Sequence, residues 1–120
     1  MKAKIGILSE EIARNRVIRI AQGKVRHEES YPLFLFESLA ALSRLLSNEN
    51  VELLNLIARE KPNSLDELVE MSGRTINDVN RTLEALSSKG FAHIEKKGSQ
   101  SRPIALFTTF EIVMGSSLQL

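Results

Sequence analysis

The clearest hydrophobic pattern of the chain lies between Ser64 and Gly90, where it predicts two short helices joined by a turn. In the second helix, over 75–89, apolar residues recur at steps of three and four and therefore share one face: Ile76, Val79, Leu83 and Leu86. At about 100° per residue, polar side chains occupy the opposite side: Arg74, Asn77, Asp78, Arg81 and Ser88. This helix is predicted to bury one flank and to offer the other to a partner.

Capping residues mark the ends of both helices. Thr75 is a good N-cap for the second helix, because its hydroxyl can accept a hydrogen bond from a free backbone N–H, and Asp78 follows at the capping-box spacing. Ser64 and Glu67 form the same pattern at the start of the first helix. Gly73 in the connecting turn tolerates the left-handed backbone of a tight exit. Helices this short are not stable alone in water, so further elements must pack against them.

The neighbouring segments supply those elements. Residues 48–61 have a broad apolar face and predict a third helix, which Pro62 must end. After the second helix the period becomes that of strands: 91–96 is a short strand, the wing at 96–103 is polar and basic, and 104–113 alternates over its whole length. Both faces of 104–113 are rather apolar, so one face is expected to meet something other than the local core.

The first part of the chain is less regular. Residues 4–8 form a short apolar run typical of a strand, and a helix is predicted over 9–23. The polar stretch 24–30 indicates a loop. The apolar tetrad 33–36 fits either a strand or the lead-in to a helix over 38–46, and periodicity does not decide between the two.

The order helix, helix, helix, strand, basic loop, strand is that of a winged helix-turn-helix. We therefore predict a mainly α, α+β fold with a strand and helix extension at 1–32, a winged helix-turn-helix domain at 33–113 and a loose tail at 114–120. The leucine-rich segment 33–46, the N-terminal helix and the strand 104–113 carry more apolar surface than one winged helix requires. These three segments are predicted to build a homodimer.

Composition argues against several classes of site. The chain of 120 residues has no cysteine, which excludes disulfides and thiolate metal sites. His27 and His93 lie outside any metal-ligand spacing, and no phosphate-binding glycine loop or nucleophile elbow occurs, so neither a cofactor nor an enzyme activity is expected. The acid pairs at 10–11 and 28–29 are explained by a helix start and a solvated loop. A net charge of +1 excludes coating of nucleic acid by bulk charge.

Hydropathy gives no sign of a membrane segment. No apolar run reaches spanning length, and the N-terminus lacks the apolar core of a signal peptide. We expect a soluble cytoplasmic protein without a membrane partner.

The two central helices also resemble a known family. The residues Gly73-Arg74, Val79, Arg81-Thr82-Leu83, Leu86 and Gly90-Phe91 are similar to a signature of small prokaryotic winged-helix regulators, related to the multiple-antibiotic-resistance type. Upstream segments, including Ala21-Gln22-Gly23 and Phe36-Glu37-Ser38-Leu39, resemble one branch of predicted DNA-binding regulators in archaea and bacteria. The resemblance implies a prokaryotic, DNA-binding transcriptional regulator. Some members of this group are thought to act as antitoxins, so the resemblance also admits a toxin protein as partner.

The outward face of the second helix holds the candidate base contacts. Arg81 can chelate O6 and N7 of a guanine, a pairing that discriminates between bases by ~1–3 kcal/mol. Asn77 lies one turn earlier and can pair with N6 and N7 of an adenine in the same groove. The alternative interpretation is an exposed helix laced by ion pairs from Asp78 to Arg74 and to Arg81.

Phosphate contacts are predicted around these base contacts. Hydroxyls near the helix starts suit phosphate oxygens, and basic side chains flank the tip of the wing. The alternatives are a capping role for the hydroxyls and a merely solvated wing tip. The predicted DNA-binding set comprises the hydroxyl residues Ser64, Thr75 and Thr82, the helix residues Arg74, Asn77 and Arg81, and the wing residues Lys96, Lys97, Gln100 and Arg102.

Two functions from different classes fit this pattern. The first is sequence-specific binding of double-stranded DNA by a homodimer, with helix 75–89 in the major groove and the wing 96–103 on the backbone or in the minor groove. A two-fold dimer would place its half-sites about one helical turn apart. The second is a protein-interaction module such as the antitoxin of a toxin–antitoxin pair, which fits the near-neutral charge and the acids Asp78 and Glu84 on the outward face.

Overall fold

A computed structural model describes residues 2–8 and 34–114, together with Glu11 and Arg14, which are helical. The chain divides into two compact units: one spans Leu45–Thr108, and the other consists of Lys2–Arg44 and Thr109–Leu120. The remainder of the predicted helix at 9–23, the loop at 24–30 and the tail beyond Met114 lie outside the described residues. The predicted division into 1–32, 33–113 and 114–120 remains a prediction.

The unit Leu45–Thr108 is built from helices and a β-hairpin. Its helices are α2 (Asn48–Glu60), α3 (Leu65–Ser72) and α4 (Ile76–Ser88), whereas α1 (Leu39–Leu45) belongs to the other unit except for its last residue. The hairpin consists of β3 (Ala92–Lys97) and β4 (Gln100–Ala105). Helix α3 packs against α2 and α4, while β3 packs against α4 and β4 packs against α2 and α3. This arrangement is a winged helix-turn-helix, and the predicted α+β fold is confirmed.

Side-chain caps begin the two central helices, as predicted. Ser64 Oγ accepts a hydrogen bond from the backbone N–H of Glu67 at 3.1 Å, and Thr75 Oγ1 accepts one from Asp78 at 3.1 Å. Gly73 ends α3 with a φ of +72°, a left-handed conformation that favours glycine. The turn between the two helices is thus determined by residues within and beside it.

Helix α2 has a cap at each end. Ser47 begins the helix by accepting from the backbone N–H of Asn50 at 3.2 Å. Lys61 ends it in the left-handed region, with φ +49°, and donates its N–H to the carbonyl of Ile57 at 3.0 Å. The buried Pro62 follows directly, so the predicted end of this helix is confirmed.

The core of this unit draws on every element. Its buried apolar residues are Leu53, Leu54, Ile57, Leu68, Val79, Leu83, Leu86, Phe91 and Ala92. Helical periodicity predicted the buried positions of α4 correctly, with one exception. Ile76 is 41% exposed, because it is the first residue of α4 and lies one turn before Val79, where burial of the helix begins.

The wing is a tight hairpin with long strands. β3 and β4 pair antiparallel with Lys97 opposite Gln100, so that only Gly98 and Ser99 form the loop. Gly98 has a φ of +64° at the first central position, where two-residue hairpin loops favour glycine. The loop of the wing is therefore shorter than the polar segment predicted at 96–103, because Lys96 and Lys97 belong to β3 and residues from Gln100 onward belong to β4.

The segment 104–113 was predicted as one continuous strand, and this prediction is wrong because the segment is divided between two strands. β4 ends at Ala105, and the N–H of Leu106 donates to the carbonyl of Phe91 at 3.0 Å, closing the end of the hairpin. A new strand, β5 (Thr109–Met114), begins three residues later. The two apolar faces seen in the sequence arise because the segment contributes to two different sheets.

The second unit contains a three-stranded parallel sheet in the order β2–β1–β5. β1 (Lys2–Ile7) is central, with β2 (Phe34–Phe36) on one side and β5 on the other. The strand predicted at 4–8 is confirmed, and the open alternative at 33–36 is decided in favour of a strand that precedes α1. The sequence did not predict the parallel pairing of β1 with β5.

None of the helices within the described residues is both long enough and apolar enough to cross a membrane.

Candidate nucleic-acid interface

Helix α4 divides cleanly into a buried and an accessible flank. Val79, Leu83 and Leu86 are fully buried, whereas the opposite flank exposes Asn77 and Arg81. The side chain of Arg81 is 80% exposed. The structure therefore places both predicted base-contact residues on the accessible side of a helix that is anchored in the core.

Arg74 does not point outward, contrary to the prediction. Its side chain is only 19% exposed and donates from Nε to Asp78 Oδ2 at 2.7 Å and from Nη2 to Thr82 Oγ1 at 2.7 Å. A longer bond of 3.4 Å joins Nη1 to Oδ1 of Asn50. Asn50 in turn donates to the carbonyl of Leu45 at 2.8 Å. Arg74 thus ties the start of α2 to α4, and its guanidinium is occupied by the fold.

Thr82 belongs to the same network. It is 7% exposed, and its hydroxyl accepts the short bond from Arg74. A buried hydroxyl that accepts from a partly buried cation has little access to a phosphate oxygen. We therefore assign Thr82 and Arg74 to the packing of the unit.

Replacing Thr82 by valine is expected to destabilise the protein by about 1 kcal/mol, because the Arg74 guanidinium loses an acceptor while the side-chain volume is kept. Urea unfolding measures the loss. Ser88→Ala is the matched control, since its exposed hydroxyl bonds only locally, to the carbonyl of Ala85; its stability should stay within about 0.5 kcal/mol of wild type. If Thr82→Val left the stability unchanged but weakened DNA binding, Thr82 would instead be a DNA-contacting residue.

Asp78 lies between Arg74 and Arg81 and pairs with both. The hydrogen bond from Arg74 lowers the pKa of Asp78 most, and the bond from Arg81 lowers this pKa further. The Arg81 contact is the weaker one, with Nη2 at 3.3 Å from Oδ1 on an exposed surface. Exposed pairs of this kind contribute little, about 0–1 kcal/mol. Arg81 can therefore exchange Asp78 for another acceptor, whereas Arg74 is held in place.

A cleft of about 500 Å³ joins the wing to the start of α3. It is lined by Asn63, Ser64, Glu67, Lys97, Gln100 and Arg102. Four of the predicted phosphate contacts thus come together, two of them cationic, beside a helix N-terminus that favours anions. The carboxylate of Glu67 is already engaged, because it accepts a hydrogen bond from the backbone N–H of Asn63.

The other predicted residues lie outside this cleft. Lys96 is exposed on β3 opposite Ser101, and strand alternation turns it to the other face from Lys97. Thr75 is exposed at the start of α4, with its hydroxyl engaged as the helix cap. The predicted set therefore separates into a helix group at 75–81, a cleft group, the internal pair Arg74 and Thr82, and Lys96 on the other face of the hairpin.

Three residues at or near this surface were not predicted from the sequence to take part in it. Ile76 was assigned to the core, yet it is exposed beside Asn77. Asn63 lines the cleft, and its place directly before the capping box at Ser64 was the available signal. Asn50 supports Arg74 from a distance of 24 residues along the chain, for which a local pattern gives no signal.

Among the residues that the structure describes, no group of three or more acidic, histidine or cysteine side chains is arranged to hold a metal ion.

Comparison with known proteins assigns the whole unit Leu45–Thr108 to a family. The model of the HVO_A0114 family matches residues 45–112. A similar solved structure is the homodimeric winged helix-turn-helix DNA-binding domain of a possible ArsR-family transcriptional regulator from Mycobacterium bovis, determined in solution. The two chains share 16% sequence identity, and their alignment covers 58% of this chain and 71% of the Mycobacterium bovis chain, with a TM-score of 0.45. No curated protein matches the chain.

Proposed function

The chain belongs to the HVO_A0114 family, and we propose that its winged helix-turn-helix binds double-stranded DNA as a sequence-specific transcriptional regulator. The observation that carries this proposal is the division of α4, whose aliphatic flank is fully buried while Arg81 stays 80% exposed on the other side. A major groove admits an α-helix and presents a distinct donor and acceptor pattern for each base pair. The likeness to multiple-antibiotic-resistance regulators remains a prediction.

Helix α4 lies in the major groove in this proposal. Arg81 donates two hydrogen bonds to a guanine, and Asn77 pairs with an adenine one turn earlier. Ile76 adds an apolar contact at the N-terminal end of the helix, where its exposed side chain suits the methyl group of a thymine. Asp78 releases Arg81 on binding and keeps Arg74, so the helix does not have to rearrange its anchoring.

The wing and the start of α3 hold the phosphate backbone. Lys97 and Arg102 supply charge in the cleft, and the backbone amides at the start of α3 add the partial positive charge of a helix N-terminus. Ser64 and Gln100 add neutral hydrogen-bonding groups. Lys96 reaches the backbone from the outer face of the hairpin. These contacts fix the register of α4 but carry no sequence information.

A homodimer completes the proposal. A single recognition helix contacts few base pairs, and a two-fold dimer doubles the site, with half-sites about one helical turn apart. The exposed apolar residues of the second unit, among them Leu35, Leu39, Ile112 and Met114, support self-association.

Salt titration tests the proposal against the alternative of a protein-interaction module, which no described contact favours. The logarithm of the affinity for duplex DNA should fall linearly with the logarithm of salt concentration, by about 0.9 per phosphate neutralised. The double variant Lys97→Ala/Arg102→Ala should lower that slope by about 1.8 on any duplex sequence.

Arg59→Ala is the matched control for the wing variant. Arg59 is 67% exposed on α2 and pairs with Glu60 at 3.2 Å, so its loss removes a similar exposed charge from a surface that has no role in the proposal. Its salt slope should equal that of the wild type. Duplex binding without a salt dependence, or a slope that the wing variant leaves unchanged, would count against a phosphate-binding wing.

A further inference from the structure

We propose that a second copy of the chain docks on the outer edge of β5, with the two β5 strands antiparallel about a two-fold axis at Ile112. The inference rests on the homodimer of the proposed function and identifies its interface. The parallel sheets of the two copies would then join into one continuous sheet of six strands.

β5 is an edge strand of the sheet that the described residues form. β5 is the last strand in the order β2–β1–β5, and β1 occupies its other side along the full length of the strand. An edge strand presents a row of unpaired backbone N–H and C=O groups, which is a template for pairing with another chain. The opposite edge, β2, has only three residues and offers a much shorter template.

One face of β5 carries exposed apolar side chains. Strand alternation places Phe110, Ile112 and Met114 on the same face. Ile112 is 47% and Met114 is 52% exposed. Ile5, which lies directly opposite Ile112 on β1, is fully buried. The buried apolar face of the sheet therefore continues onto β5 but loses its cover at this edge.

Pairing centred on Ile112 is self-complementary. Ile112 then faces Ile112 of the second copy, and Phe110 faces Met114 of the second copy on the same side of the sheet. The Cβ atoms of residues in such a direct pair lie about 4.5–5.5 Å apart. On the other face, Glu111 lies opposite Val113 of the second copy. Every exposed apolar side chain of the strand thus acquires an apolar neighbour.

Charge excludes the register centred one residue earlier. A centre at Glu111 would place two carboxylates directly opposite each other, which is destabilising in a sheet. In the register centred on Ile112, Glu111 keeps its own partner, since Lys2 Nζ lies 3.0 Å from its carboxylate, and this bond lowers the pKa of Glu111. A shift by a single residue would set the apolar face of one strand against the polar face of the other.

The same features favour a second copy over an unrelated protein as the occupant. A two-fold interface requires one surface to complement itself, and the sequence TFEIVM does so about its isoleucine. The strand presents no lysine, proline or bulge, which are the usual means of protecting an edge that must stay unpaired.

Cysteine cross-linking tests the register directly, because the chain contains no cysteine of its own. Under mild oxidation, Ile112→Cys should convert most of the protein to a disulfide-linked dimer, since the two sulfurs lie across a direct pair. Met114→Cys is the matched control: its side chain is equally exposed, but the two copies of this position would lie roughly 14 Å apart along the strands. It should remain uncross-linked. Mixing Phe110→Cys with Met114→Cys should restore the cross-link.

A second pair of variants tests the interface without cysteine. Ile112→Lys places two like charges at the centre of the pairing, so the dimer dissociation constant measured by sedimentation should rise at least tenfold. Leu39→Lys is its control, because Leu39 is 48% exposed on α1 and lies off the strand. Dissociation by Leu39→Lys but not by Ile112→Lys would place the interface on the segment 33–46 and overturn the proposal.

The outcomes separate this inference from the proposed function. A wild-type chain that stays monomeric at micromolar concentration would contradict both the homodimer and the edge pairing. A dimer in which Ile112→Cys fails to cross-link, or in which Met114→Cys cross-links equally well, would overturn the edge pairing alone. Loss of duplex binding with intact cross-linking would overturn the proposed function and leave the interface standing.

Discussion

Replacing Arg81 by alanine is expected to weaken binding to a cognate duplex by roughly 5- to 150-fold, the equivalent of ~1–3 kcal/mol for a bidentate pair with guanine. Binding to random duplexes should change much less, because the lost contact is to a base edge. The expectation follows from the position of Arg81, which is 80% exposed on a helix whose opposite flank is buried. Fluorescence anisotropy with the two kinds of duplex, at one salt concentration, measures the difference.

Two further variants make the Arg81 result specific. Arg81→Lys keeps the charge but loses the planar guanidinium fork. It should therefore bind random duplexes as tightly as the wild type does and keep only part of the affinity for the cognate duplex. Arg59→Ala removes another exposed arginine, on α2, and should leave both affinities unchanged. An equal loss on cognate and random duplexes in Arg81→Ala would instead identify a phosphate contact.

Phe91→Ala should destabilise the protein by about 3–5 kcal/mol. Phe91 is fully buried where α4 leads into the wing, and its ring meets that of Phe107 edge-on, with 6.4 Å between the centroids. Its backbone N–H donates to the carbonyl of Leu86 at 2.9 Å, and its carbonyl accepts from Leu106 at 3.0 Å. The side chain thus fills the core at the point where the helix and the hairpin are joined.

Urea unfolding measures the loss in Phe91→Ala, and His93→Ala is its control on the same strand. His93 is exposed, so its replacement should change the free energy of unfolding by no more than about 0.5 kcal/mol. A loss below about 1 kcal/mol in Phe91→Ala would mean that the ring does not anchor the wing.

Features that depend on near neighbours in the chain were predictable. The caps at Ser64 and Thr75, the left-handed turn at Gly73 and the end of α2 before Pro62 all involve groups within four residues of one another. Their signals are therefore local, and the helix-turn-helix could be recognised from sequence alone.

Features that depend on distant partners were not predictable. The parallel pairing of β1 with β5 joins residues from the two ends of the described chain, and neither strand contains a sign of its partner. No glycine or proline follows Ala105 to mark the break. The chain is redirected there by the hydrogen bond from the N–H of Leu106 to the carbonyl of Phe91.

The candidate site follows the same division. Helical periodicity placed Arg81 and Asn77 on the accessible flank of α4, as the structure has them. The same periodicity put Arg74 on that flank, but its partners Asn50 and Thr82 draw it into the unit. A side chain at a helix start has several possible directions, and only the tertiary partners select one.

Selection of bound sequences from a random duplex pool tests the central claim, that the outward flank of α4 contacts base edges. Wild-type protein should enrich a motif with two-fold symmetry whose half-sites contain a guanine, and Arg81→Ala should lose the preference at that position while Arg59→Ala keeps it. A pool that shows no enrichment with wild-type protein, or an identical motif from wild type and Arg81→Ala, would contradict the account.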